Sequence, residues 1–94
     1  MSVLTLLTDF GTQDGFVGVI KGVIWDICPD VKIADISHQI KPQNVMQGAI
    51  TLSRVAPYFG NRTVHVAVVD PGVGTQRRAI AAEIGNQFYV APDN

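Results

Sequence analysis

The chain has 94 residues, 47% of them hydrophobic and 16% charged, with seven basic residues against eight acidic ones. That length allows one small domain, and a charge near zero with no basic stripe argues against a nucleic-acid partner. A single cysteine, Cys28, excludes an internal disulfide and a cysteine-based metal site; in an apolar helical stretch it is expected to be a small core residue.

The N-terminal run MSVLTLLTDFG has no basic region before its apolar residues and soon reaches an acid, so it reads as a first strand over residues 3–8 and not as a signal peptide. No run approaches the length of a membrane span, and a cytoplasmic location is the expectation. Thr12 or Asp14 is then suited to cap a helix. Phe16, Ile20, Val23, Ile24 and Ile27 fall on one helical face, and Pro29 stops it. Gly15, Gly18 and Gly22 in that segment suggest a close approach of helix to sheet. A second strand is expected over residues 31–36, followed by a polar loop over 37–42.

Asn44 and Gln47 have capping-box spacing. Val45, Ala49, Leu52, Ala56 and Phe59 mark a second helical face, which Pro57 and Gly60-Asn61 terminate. Residues 63–70 form a third strand and 78–84 a fourth. Gly85-Asn86 is a hairpin turn leading into a fifth strand over 87–91. The order β-α-β-α-β followed by a β-hairpin argues for an α/β fold, a parallel doubly wound sheet with an antiparallel addition at one edge. The chain stops at Val-Ala-Pro-Asp-Asn, turn chemistry directly after an apolar run. The expectation is the N-terminal part of a longer, two-domain protein.

The chemistry concentrates in residues 64–78, VHVAVVDPGVGTQRR. An apolar, valine-rich strand ends on Asp70 and runs through a glycine-rich loop to Arg77 and Arg78. Ligands in open α/β sheets bind beyond the carboxyl ends of strands. The first strand also ends on an acid, Asp9, so a parallel sheet brings both carboxylates to one edge. A carboxylate there suits a ribose diol, although Asp is also a common turn cap. The loop lacks the Gly-Lys-Ser/Thr ending of a P-loop and leads into a strand, which removes both the lysine and the helix dipole of a phosphate site. An Asp–Arg pair can position a water or a substrate group, and it can equally pin a loop. Of the two histidines, His65 in its apolar strand reads as a satisfied core residue. His38 lies in a loop with nothing to compel it toward a site. No carboxylates are spaced with either for a metal.

Five fragments in order, TDFG with Asp14 and VGVIKGV, then CPD, DISHQIKPQNVMQGA, VVDPGVGTQRR and YVAPDN, resemble the S-adenosyl-L-methionine (SAM) hydroxide adenosyltransferase family, related to fluorinase and chlorinase. The resemblance implies a Rossmann-like N-terminal SAM-binding domain over residues 1–94, a C-terminal β-barrel domain absent from this chain, and a homotrimer with sites between subunits. It implies hydrolysis of SAM to adenosine and L-methionine by water attack at the ribose C5′, with SAM as substrate and no cofactor or metal. By residue match, Asp9 would hold the ribose hydroxyls, Asp14 the methionine amino group, and Gln43 would line the pocket. Asp70 and Arg77 match two members of an Asp–Arg–His set associated with water activation, the histidine being expected beyond Asn94. An anionic Asp70 repels halide, which favours hydrolase over halogenase. The alternative from another class is a non-catalytic module that binds adenosine or SAM or assists assembly.

Overall fold

The computed structural model describes residues 2–69 and 79–92. Strands β1 (Val3–Thr8), β2 (Lys32–Ser37), β3 (Val64–Val68), β4 (Ala79–Ile84) and β5 (Gln87–Pro92) form a single sheet in the order β2-β1-β3-β5-β4. Helix α1 (Phe16–Ile27) joins β1 to β2, while α2 (Val45–Val55) and a short 3-10 turn, Ala56–Tyr58, join β2 to β3. β1 pairs parallel with both β2 and β3, and β3 pairs parallel with β5. Only the β4–β5 hairpin is antiparallel, and β2 and β4 are the two edge strands. The element order and the mixed sheet are those expected from the sequence. The first crossover runs from β1 outward to β2 and the second runs back from β2 past β1 to β3, so right-handed connections in opposite directions put α1 and α2 on opposite faces.

β1 is an interior strand, paired on both sides, and Thr5, Leu6, Leu7 and Thr8 are all buried. Leu7, Ile40 and Val69 form the core on the α2 side, with Ile36, Leu52 and Ala67 packed around them. Burying a leucine of this kind stabilises by about 2 kcal/mol. Gly48 lets α2 settle on this face: a Cβ there would lie 3.1 Å from Val69 Cγ2 and 3.4 Å from Leu7 Cδ2. The close-approach glycine is therefore in the second helix. Gly18 and Gly22 of α1, where the sequence suggested it, have nothing within 4 Å of such a Cβ.

α1 departs from expectation in other ways. Its N-cap is Gly15 at φ 77°, with no side-chain cap from Thr12 or Asp14. Phe16, Val23 and Ile27 are exposed, whereas Val17, Ile20, Lys21 and Ile24 are half-buried. The inward row is thus 17, 20, 21, 24. A helix apolar around more than half its circumference has a period but no unique direction, so periodicity alone found Ile20 and Ile24 of the inward row and set the rest of the stripe to one side of it. Cys28 is exposed beyond the end of α1, not in the core, because the chain has already left the helix there. The capping box at α2 is half formed. Asn44 Oδ1 accepts from Gln47 N–H at 2.9 Å, but Gln47 Oε1 accepts from Lys41 N–H at 2.8 Å, the Asn44 N–H being taken by Lys41 O. Among the described residues no helix is long and apolar enough to cross a membrane.

Candidate functional site at the carboxyl rim of the sheet

β1 ends at the middle of the parallel rim, with Thr8 opposite Val68 of β3. The strands that precede Asp9 and Asp70 are therefore neighbours pointing the same way, as the two-acid reading requires. Asp70 and Arg77 themselves lie outside the described residues.

Beyond β1 the chain makes a tight turn. Phe10 N–H donates to Thr8 Oγ1 at 3.2 Å, a threonine side-chain turn. Gly11 then adopts φ 71°, a conformation that favours glycine, and its N–H donates to His38 O at 2.7 Å. Asp9 is the residue at the crest of this turn.

The segment after β2 comes up alongside it. The sequence reads as a polar loop, but Ile40 is buried in the core and His38 is buried beside β1. The segment is thus anchored from below and is not a free loop. Lys41-Pro42-Gln43-Asn44 closes through Asn44 N–H to Lys41 O at 2.9 Å, with Gln43 at φ 63°. Proline second and positive φ third give the form of a type II turn, which normally takes Gly or Asn at the third place. Gln43 holds it because its N–H donates to Asp9 Oδ2 at 2.7 Å.

So the structure brings together Asp9 and Gln43, two of the residues expected in the site. Asp9 is no local turn cap; it reaches 34 residues along the chain. One carboxylate oxygen is fixed by the backbone, and the other has no partner among the described residues. Asp14 is exposed ahead of α1, and its carboxylate bonds none of the described residues.

Three further residues were not picked out as site residues from the sequence. His38 Nδ1 meets Thr8 Oγ1 at 2.8 Å and His38 Nε2 meets Asp35 Oδ1 at 2.8 Å. Lys21 Nζ donates to the other oxygen of Asp35 at 2.7 Å. The only trace in the sequence is Asp35 and His38 straddling the end of β2, a spacing too common to single out. Burial tends to raise the Asp35 carboxyl, but the hydrogen bonds from Lys21 and His38 and the charge of Lys21 outweigh it and hold the group below its ordinary 3.8. A lowered folded value means that Asp35 stabilises the fold above the unfolded pKa of about 3.9, and that this contribution is lost as pH falls through the folded value. With 41% of the side chain exposed, solvent screening keeps the contribution below about 1 kcal/mol. Urea titrations between about pH 2.5 and 6 should therefore show a shallower acid loss of stability for Asp35→Asn than for the wild type. An unchanged slope would remove Asp35 from the acid response.

A largely parallel sheet joined by helical crossovers, with a carboxylate at its carboxyl rim, defines a doubly wound α/β domain, a class whose ligands sit beyond that rim. Comparison with known proteins makes the class specific. The chain belongs to the family of SAM hydroxide adenosyltransferase N-terminal domains, whose model matches residues 4–94. It is 48% identical over 99 residues to an (R)-S-adenosyl-L-methionine hydrolase of Methanocaldococcus jannaschii, covering 100% of this chain and 37% of that protein. It is 33% identical over 82 residues to a fluorinase of Actinopolyspora mzabensis, covering 87% of this chain and 27% of that one. A crystal structure of an uncharacterized conserved protein from Thermotoga maritima superposes with a TM-score of 0.91 at 43% identity, covering 97% of this chain and 35% of the other. The chain spans about a third of the length of the curated hydrolases it matches.

Proposed function

We propose that the protein hydrolyses SAM to adenosine and L-methionine, with this chain supplying part of the site. The observation that carries the reading is Asp9: a carboxylate at the carboxyl rim of an interior parallel strand, one oxygen fixed by Gln43 N–H and the other without a partner among the described residues. Such a group accepts hydrogen bonds from a ribose diol without first having to be ordered. The hydrolase relatives support the same substrate.

In the reaction, a water oxygen bonds to C5′ as the C5′–S bond breaks. The bonding pair goes to sulfur, leaving a neutral thioether, and the water loses one proton. Methionine leaves a sulfonium without help from an acid, so the protein's task is to align the water opposite sulfur and exclude competitors. Asp70 and Arg77, with a histidine beyond Asn94, orient that water, and the carboxylate or the imidazole takes up its proton. Asp9 holds the ribose, Gln43 lines the pocket and Asp14 meets the methionine amino group. We further propose a β-barrel domain following this one and a cytoplasmic homotrimer with its sites between subunits. No resident cofactor, nucleic acid or membrane takes part.

The test is product analysis. The protein expressed from its complete reading frame is incubated with SAM, with and without chloride or fluoride, and the nucleoside is identified by mass. Adenosine in every case is expected. A 5′-halo-adenosine would make the protein a halogenase, the reading to which the fluorinase similarity points. No nucleoside product alongside measurable SAM binding would make it a binding module.

A further inference from the structure

We propose that His38 is the positioning residue for Asp9, and that the hydrogen bond its ring makes with Thr8 sets the affinity for the ribose. This inference rests on Asp9 binding the substrate.

The geometry brackets Asp9 from both sides. His38 uses its ring on the residue before Asp9, through Thr8 Oγ1 at 2.8 Å. It uses its backbone carbonyl on the residue two after, accepting from Gly11 N–H at 2.7 Å. The direction of the bonds follows from their partners. The Asp35 carboxylate only accepts, so His38 Nε2 carries a proton and donates to it at 2.8 Å. In the neutral ring Nδ1 is then the acceptor, and Thr8 O–H donates to it. With its proton committed there, Thr8 Oγ1 has its lone pairs free to accept from Phe10 N–H at 3.2 Å. Every step fixes the next, and the last fixes the peptide that carries Asp9. Lys21 closes the far end, pinning Asp35 from α1 at 2.7 Å. His38 is 6% exposed and Thr8 fully buried, so water does not replace these bonds without opening the strand end.

The arrangement separates two parts of the ring. Asparagine places an acceptor near the Nδ1 position and keeps the bond from Thr8 while losing Asp35. Alanine loses both. A ring that only filled space would make the two substitutions alike. A ring that positions Asp9 makes them differ in substrate affinity.

The experiment uses the protein from its complete reading frame and measures the Kd of SAM by calorimetry for His38→Ala, His38→Asn, Asp9→Ala and the double variant Asp9→Ala/His38→Ala, with kcat alongside. His38→Ala is expected to weaken SAM binding on the order of tenfold, the size of one hydrogen bond to a charged group. His38→Asn should stay within about threefold of the wild type. kcat at saturation should change little in both, because ribose contacts serve ground and transition states alike. In the double variant, His38→Ala should add almost nothing to Asp9→Ala, since a residue acting through another has no effect once the other is gone. Additive losses, or equal losses for the Ala and Asn variants, would overturn the positioning role while leaving Asp9 in the site. If His38→Ala does not fold, Thr8→Val, which removes the hydroxyl between the ring and the turn, takes its place with and without Asp9→Ala and is judged by the same rule. An Asp9→Ala protein with undiminished affinity would overturn the ribose-binding reading itself, and this inference with it.

Discussion

Asp70→Ala is expected to lower the turnover of SAM by about a hundredfold to ten-thousandfold, the usual range for a lost proton-transfer group. The affinity for SAM should change by less than about threefold. The asymmetry follows from the reaction. In the proposed reaction SAM is a cation whose leaving group needs no proton, so nothing is gained by gripping the ground state harder at the water position. A group that orients the water and accepts its proton acts only as the C5′–O bond forms, and its loss falls on kcat. β3, which leads to Asp70, is held between β1 and β5, a rigid base for such a group. Steady-state kcat and KM with a calorimetric Kd make the measurement, and an unaltered kcat would sink the role. Asp70→Asn divides it further: it keeps hydrogen bonding but not basicity, so the activity it retains measures orientation of the water apart from uptake of its proton.

Gln87→Leu is expected to cost about 3 kcal/mol of folding stability, seen as a fall in Tm of about 12–24 °C for a domain of this length. The side chain sits at the start of β5, and its amide nitrogen lies 3.1 Å from Ala56 O, 2.9 Å from Phe59 O and 3.2 Å from Gly60 O. Three carbonyls around one atom require that atom to be the NH2. The amide oxygen therefore faces His65 Nε2 at 3.1 Å and accepts from Tyr89 O–H at 3.2 Å. That makes His65 Nε2 a donor and Nδ1 an acceptor for Thr5 O–H, at 2.6 Å. One glutamine thus ties β5 to β3, β1 and the segment that ends the second crossover. Leucine has nearly the same volume but leaves the ring N–H of a fully buried His65 and the carbonyl of buried Ala56 without these partners. The cost is desolvation of orphaned groups, not lost packing. Gln87→Glu is a sharper control. It keeps an acceptor for His65 but turns a second oxygen on three carbonyls, and it should be no better tolerated than leucine. Chemical denaturation of the two variants checks this, and wild-type stability in either would show that water replaces the amide.

The His65 cluster also shows where sequence reading succeeds. A lone polar residue in a valine-rich strand is either satisfied or catalytic, and here it is satisfied on both nitrogens, stacked on Tyr89 and edge-on to Phe59. His38 shows the opposite. Its partners lie on β1 and β2, strands that pair only in the folded sheet, and nothing in DISHQI announces them. Gln43 was assigned to the pocket by family resemblance. That its backbone, and not its amide, is what holds Asp9 depends on a positive φ that no sequence pattern requires of glutamine.

By itself the sequence determined the element order, the five strands, and the parallel sheet with its antiparallel edge. These follow from local patterns, because apolar runs, proline, glycine and capping residues act over a few positions. It also determined the family, because the matching fragments are spread along the whole chain. The direction α1 faces, the exposure of Cys28, the close approach at Gly48 and the bracket around Asp9 were decided only by the tertiary structure. Each depends on which surfaces meet across the sheet. A nearly all-apolar helix, a cysteine at a helix end and a glycine among several carry no local mark of that choice.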